Sequence, residues 1–277
     1  SRAILISDET LKHLGMTDRI AAVLLEEEIA VPIVYTKIPT DSSLSTANKI
    51  AGICRKNDID MIIGLGGGSV IDTAKGVRMI LSQNSDDILK LSGYEGLPAG
   101  SPVPLCIIPT TSGTGSEVTG VAVIRDENRD LKMEFISAHI QPDIAVLDPQ
   151  MTQSMPPKVT AATGMDALCH AVEGYTCLQK NPLSDAYAVT ALRTIAGSLK
   201  KAVADGSDTD ARIEMANAAL MAGISFSNSM VGIVHGIGHA LGAVCRIPHG
   251  TAMNILLPHC MMYNMDVCGE RYADLLL

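Results

Sequence analysis

The chain has 277 residues, 47 % of them hydrophobic but only 3 % aromatic and none Trp, so aliphatic side chains and Met must fill the core of one large domain or two ordinary ones. Charged residues make up 18 %, below the globular average of about 25 %, so part of the surface is expected to be covered by a domain interface or another subunit. The net charge of −9, with no basic run longer than two residues, argues against nucleic acid and anionic membranes as partners, since both need clustered Lys and Arg.

The opening, SRAILISDET, meets charged residues too early for a signal peptide. The apolar run AILI at 3–6 predicts a first strand, ending at Asp8. That carboxylate suits two tasks: capping the next helix, or accepting hydrogen bonds from a ribose diol while repelling a 2′-phosphate. A helix over 18–28, a strand over 31–35, a helix over 44–57 and a strand over 60–66 follow. The last of these runs into GGGS at 66–69 and a helix over 70–83. Gly67, Gly68 and Ser69 at such a turn let the backbone approach a phosphate, with the helix N-terminus supplying N–H groups; the plainer alternative is a tight turn needing positive φ. The spacing is neither GxGxxG nor a P-loop.

A strand over 104–110 leads into Thr110, Thr111, Ser112, Gly113, Thr114, Gly115, Ser116 and Glu117. Small hydroxyls and bare N–H groups at the carboxyl end of a strand suit a ligand, although Ser/Thr-rich turns are common. A hairpin over 120–137, turning at Asp126–Asp130, and a strand over 144–148 complete this half. Alternating strands and helices with unbroken apolar strands predict a doubly wound α/β domain over 1–152. Pro156-Pro157 marks a break, and 153–277 reads as all-helical. The chain ends at RYADLLL inside a helical pattern, as a fragment would. No apolar stretch reaches the ~20 residues that span a bilayer. Seven Cys without a CxxC pair predict core thiols in a reducing cytoplasm.

The helical half carries the strongest chemical signal. In GMDALCHAVEGYT, Asp166 and His170 stand four apart on one helix face. In GIVHGIGHALG, His235 and His239 repeat that spacing, and RIPHG places His249 in a loop before a further helix. One carboxylate with several imidazoles and no thiolate suits Fe(II), Zn(II), Co(II) or Ni(II) and disfavours Mg and Ca. A Cys-poor set points to a catalytic rather than a structural site.

Together, GGGSVIDTAKG, PTTSGTGSEVT, GMDALCHAVEGYT, HGIGHALG and PHGTAMNILLP resemble the iron-containing (group III) alcohol dehydrogenases, in family order and over nearly the whole chain. The resemblance implies a dehydroquinate synthase-like fold, with a Rossmann-like N-terminal domain, an all-α C-terminal domain and an active site in the cleft between them. It assigns the metal to Asp166, His170, His235 and His249, and leaves His239 unliganded as a candidate proton relay. It implies that Asp8 favours NAD over NADP, that Gly67, Gly68, Ser69 and Asp72 hold the pyrophosphate, and that Thr110, Thr111, Thr114, Lys132 and Met151 lie on the nicotinamide side. Where many members have Pro-Asn-Pro-Thr, this chain has Thr40-Asp41-Ser42-Ser43, so an adenine-side contact falls to Asp41.

The implied reaction is hydride transfer between a primary alcohol or aldehyde and NAD(P), with Fe(II), or Zn(II), acting on the alcohol oxygen. A homodimer or higher homo-oligomer in the cytoplasm, binding neither nucleic acid nor membrane, is expected. The alternatives are a Zn(II) glycerol or polyol dehydrogenase of the same superfamily, a dehydroquinate-synthase-like lyase, which would need a basic pocket, and a metal- or nucleotide-binding fragment without turnover.

Overall fold

The protein is described by a computed structural model covering residues 1–92 and 99–275. It divides into two compact units: Ser1–Thr110 with Ser116–Val146, and Thr111–Gly115 with Leu147–Leu277.

The first unit is α/β. Strands β1 (Arg2–Ile6), β2 (Ala30–Tyr35), β3 (Met61–Gly66), β4 (Leu105–Pro109) and β7 (Ile144–Ala145) form one parallel sheet in the order β2-β1-β3-β4-β7. Strands β5 (Val121–Asp126) and β6 (Leu131–Ile136) pair as a separate antiparallel hairpin. Helices α1 (Glu9–His13), α2 (Met16–Glu26), α3 (Leu44–Lys56) and α4 (Gly68–Ser82) are interleaved with the early strands. The central strands bury both faces, which is why their apolar runs are unbroken; edge strand β2 alternates half-buried and exposed residues instead. Ile4, Ile6, Ile50, Ile62, Ile71, Ile107, Ile124 and Phe135 share one core. Helix α1 goes beyond the sequence reading; its N-cap is Asp8, whose carboxylate accepts from Leu11 N–H at 2.9 Å. β7 is shorter than the apolar run 144–148, because Asp148 already caps the following 3₁₀ turn.

β1 lies between β2 and β3, so the strand order reverses there. The carboxyl ends of strands flanking such a reversal open a crevice in doubly wound sheets. Asp8, Asp41, the glycines after β3 and Thr110 all follow strand carboxyl ends.

The second unit is helical: α5 (Pro157–Thr176), α6 (Pro182–Ala204), α7 (Thr209–Ser229), α8 (Ile233–Cys245), α9 (His249–Tyr263) and α10 (Met265–Asp274). Pro157 sits in the first turn of α5, where a missing N–H costs nothing, so the proline pair opens that helix. Small residues let α5, α6 and α7 pack closely; a Cβ on Gly164 would lie 2.3 Å from Leu199 Cδ1. Arg212, 1 % exposed, ties the unit by donating to Gly206 O, Thr160 Oγ1 and Met155 O at 3.0, 2.8 and 3.2 Å. Residues 111–115 pack with these helices rather than with the sheet. A Cβ on Gly113 would sit 2.7 Å from Thr163 O, and one on Gly115 would sit 2.6 Å from Gly223 Cα.

Candidate functional site

Three helices bring their polar side chains to one place. Asp166 and His170 lie one turn apart on α5 and His235 lies on α8, all buried, with ligand-capable atoms within 4.8 Å of one another. His249 opens α9 rather than preceding it, and its Nε2 is 3.3 Å from Asp166 Oδ1. The His235 ring stacks on His170 at 4.4 Å and stands 5.6 Å from His249. His239 joins the group, its ring 5.8 Å from His235 and 5.3 Å from His249. Phe226 of α7 stacks on the far face of the cluster, 4.4 Å from His170.

Asp166 Oδ1, His170 Nδ1 and His235 Nε2 are buried without hydrogen-bond partners. Each such atom costs about 1–3 kcal/mol when left unpaired, and three in one cluster are hard to sustain. One carboxylate oxygen and imidazole nitrogens converging in this way fit a divalent cation of the Fe(II) or Zn(II) kind.

The electrostatics of Asp166 and His170 agree with that fit. Burial opposes ionisation of Asp166, yet the surrounding imidazoles, His249 first among them, outweigh it and hold the carboxyl well below its usual range. Burial pushes His170 down to about 3, with His235 and His249 adding to the effect, so its imidazole is neutral as a ligand must be. Burial also works against protonated His235, but Asp166 and Glu173 raise its pKa. Glu173 reaches from α5 to α8: one oxygen pairs with His235 Nδ1 and the other accepts from Val234 N–H at 2.7 Å.

At the carboxyl end of β3, Gly67 is the N-cap of α4, with φ −85°, and Ser69 Oγ donates to Thr40 O. Positive φ is not what these glycines provide: among glycines of the described residues only Gly15 and Gly115 adopt it. Gly64 and Gly66 serve close packing instead, since a Cβ would meet Ile107 Cδ1 at 2.7 Å and Val70 Cγ2 at 2.5 Å. The Asp72 carboxylate accepts from Ser116 Oγ at 2.8 Å and from Val123 N–H at 3.0 Å, which ties α4 to the chain after β4. Lys132 Nζ pairs with Asp41 Oδ1 at 3.0 Å. The resemblance sends these two residues to opposite ends of the cofactor, whereas here they pair with each other. Thr110 follows β4, its N–H bonded to Gly66 O at 3.0 Å, whereas Thr111, Thr114 and Met151 belong to the helical unit, Met151 being 2 % exposed.

Comparison with known proteins gives two adjoining family matches: iron-containing alcohol dehydrogenase over residues 1–149, and the C-terminal part of the same family over 160–277. The chain belongs to the iron-containing alcohol dehydrogenase family. It is 41 % identical over 274 residues to long-chain-alcohol dehydrogenase 1 of Geobacillus thermodenitrificans, covering 98 % of this chain and 68 % of that protein. Lactaldehyde reductase of Escherichia coli is 39 % identical, covering 99 % and 71 %. Among solved structures, an alcohol dehydrogenase from Oenococcus oeni superposes with a TM-score of 0.94 at 36 % identity, over 99 % of this chain and 71 % of that one. Sulfoacetaldehyde reductase from Bifidobacterium kashiwanohense, in complex with NAD⁺, gives 0.88 at 30 %, over 95 % and 69 %. As a member of this family the protein is a metal-dependent, NAD-linked alcohol dehydrogenase, an oxidoreductase acting on CH–OH groups.

Two groups in this alcohol dehydrogenase escaped the sequence reading. Glu173 lies three residues after His170, on the same helix face, but a helical Glu ordinarily reads as a solvated charge. Lys75 is fully buried on α4 and donates to Ser116 Oγ, Thr119 Oγ1 and Val121 O at 2.8, 3.0 and 2.7 Å, so it holds the same segment as Asp72. The sole sequence cue was its place in the apolar helix VIDTAKGVRMI.

Proposed function

We propose that this alcohol dehydrogenase oxidises primary alcohols, or reduces the matching aldehydes, with Fe(II) held by Asp166, His170, His235 and His249 and with NAD preferred over NADP. The observation that carries the reading is the convergence of three unpartnered buried atoms, Asp166 Oδ1, His170 Nδ1 and His235 Nε2, beside His249. When bound, the metal supplies Lewis acidity toward the alcohol oxygen and the nicotinamide accepts the hydride.

The chain's own residues supply positioning and proton handling. Neutral His170 and ionised Asp166 present lone pairs inward. His239, half-buried with its ring beside His249, is the candidate carrier of the alcohol proton through an imidazole nitrogen. Asp8, at the carboxyl end of β1, supports NAD, because a carboxylate there disfavours a 2′-phosphate. Gly67, Gly68 and Ser69 offer the α4 N-terminus to the pyrophosphate. Names among the relatives (long-chain alcohol, lactaldehyde, methanol) support an alcohol or aldehyde without selecting its size.

All seven cysteines are free, which supports a reducing, cytoplasmic setting. Exposed Val244, Met262, Tyr263 and Val267 on the helical unit support assembly into a homodimer or larger. Among the described residues no single helix is long and apolar enough to cross a membrane.

A thiolate-free donor set also suits zinc, so a polyol dehydrogenase is the second reading. The test is metal analysis after anaerobic purification, then NADH and NADPH formation by iron- and zinc-loaded protein on primary alcohols and glycerol. Bound metal with no reduction of either cofactor on any alcohol defeats the proposal; a zinc-loaded preference for glycerol selects the second reading.

A further inference from the structure

Glu173 is 5 % exposed, and each of its two oxygens serves a different part of α8. One accepts from Val234 N–H, the second residue of that helix. N–H groups of a first turn have no partner within the helix. The N-cap of α8 is Gly232, which offers no side-chain cap, so a carboxylate from α5 caps this helix instead. The fit is close: a Cβ on Gly232 would lie 2.8 Å from Glu173 Oε1. The chain enters α8 through Met230 at φ 68°, ψ −178°, a conformation that a residue with a side chain keeps only where its surroundings hold it.

The other oxygen pairs with His235 Nδ1. An ionised carboxylate only accepts, so Nδ1 must carry hydrogen. The atom left for a ligand is then Nε2, which faces Asp166 Oδ1 at 3.7 Å and has no hydrogen-bond partner. Carboxylates behind ligand histidines fix ring orientation and tautomer in this way.

We propose that Glu173 is a positioning residue that makes metal affinity and the seating of α8 depend on one carboxylate. The inference rests on the metal reading above. Its oxygens fix both the start of the helix and the imidazole that the helix carries, so neither can shift without the other. Glu173→Gln keeps the shape but offers one acceptor oxygen to two N–H donors. Whichever donor loses its partner, the shift passes to the other, because helix start and imidazole move together; an amide NH₂ against Nδ1 also favours the tautomer with hydrogen on Nε2, which cannot ligate.

The experiment uses the full chain, wild type and Glu173→Gln, with Zn(II) as the probe. Affinity is read by competition with a chelator, Val234 protection by hydrogen exchange, and the His235 tautomer by imidazole ¹H–¹⁵N correlations in the zinc-loaded protein. The expected result is Zn(II) affinity lower by about 10–100-fold, faster Val234 exchange in the metal-free variant, and loss of the uniform Nδ1–H signature. Wild-type affinity in the variant overturns the inference, as does weakened affinity with unchanged Val234 protection or the reverse. Should Glu173→Gln not fold, Glu173→Asp, too short to reach both donors at once, must show the same two losses together. A wild type that takes up no tight Zn(II) defeats the metal reading itself, and the wild-type titration alone separates that outcome from the others.

Discussion

His235 Nε2 stands 3.7 Å from Asp166 Oδ1, and neither atom has a hydrogen-bond partner. A cation that binds only the folded protein stabilises it by RT ln(1 + [M]/Kd), about 2.7 kcal/mol at a hundredfold excess over Kd. Chelation should therefore lower the melting temperature by several degrees, and Fe(II) or Zn(II) should restore it. His249→Ala should remove turnover and most metal binding with little loss of metal-free stability, because that side chain is 32 % exposed. His170→Ala should also cost stability, since it leaves a hole behind Phe226. Calorimetry with and without chelator decides this. Identical melting curves with and without chelator would defeat the metal reading, and an active His249→Ala would remove that residue from the ligand set.

The Asp41–Lys132 pair bears on the cofactor. Asp41 is half exposed, so the pair is worth at most about 1 kcal/mol of stability. Asp41→Asn should leave the melting temperature within a degree or two. It should also free Lys132 for cofactor phosphate or ribose and lower KM for NAD by about two- to fivefold. Lys132→Ala should raise KM instead. Steady-state kinetics on both variants test this; an unchanged or higher KM in Asp41→Asn means that the pair lies outside the cofactor's reach.

The sheet was legible because burial on both faces writes itself as unbroken apolar runs such as AILI and MIIGLG. Helix α1 was not, because five residues are too few for a periodic signal and Asp8 could equally be a ligand. Asp166, His170, His235 and His239 were legible as candidates because i,i+4 spacing survives folding, and His249 as a further imidazole in the same apolar half. Which of them bind the metal came from the resemblance, not from spacing. Glu173 and Lys75 were hidden for a different reason. Their roles depend on what another element presents, Val234 N–H in one case and Thr119 with Val121 in the other, and no local pattern encodes that.

Glu117 sets a pH dependence in the α/β unit. Burial pushes its carboxyl up to about 7, against the lowering effects of its own backbone and of Lys75. A carboxyl raised in the folded state favours folding while it is protonated. Its contribution is complete below about pH 4.5 and is lost as pH rises through about 7. The loss is on the order of 3 kcal/mol. Glu117→Gln stays neutral, so its melting temperature should fall several degrees less than that of the wild type between pH 5 and pH 8. Parallel profiles for the two proteins would show that Glu117 titrates normally.

The 111–115 loop supplies the sharpest steric prediction. Gly115 adopts φ +60°, where a side chain is strained, and a Cβ there would lie 2.6 Å from Gly223 Cα and 2.9 Å from Ala219 O. Both obstacles are backbone or Cα atoms within α7, so neither can yield as a flexible side chain could. The same loop carries Gly113, where a Cβ would sit 2.7 Å from Thr163 O, and Thr114, a cofactor candidate. Gly115→Ala should therefore cost about 1–3 kcal/mol of stability. It should also lower kcat/KM more than stability alone requires, because displacing the loop moves Thr114 with it. Gly197→Ala is the control, having open space around its α carbon and a helical backbone that alanine favours. It should be neutral or slightly stabilising with unchanged kinetics. Equal behaviour of the two variants in melting and turnover would mean that the loop's close approach to α7 has no functional weight.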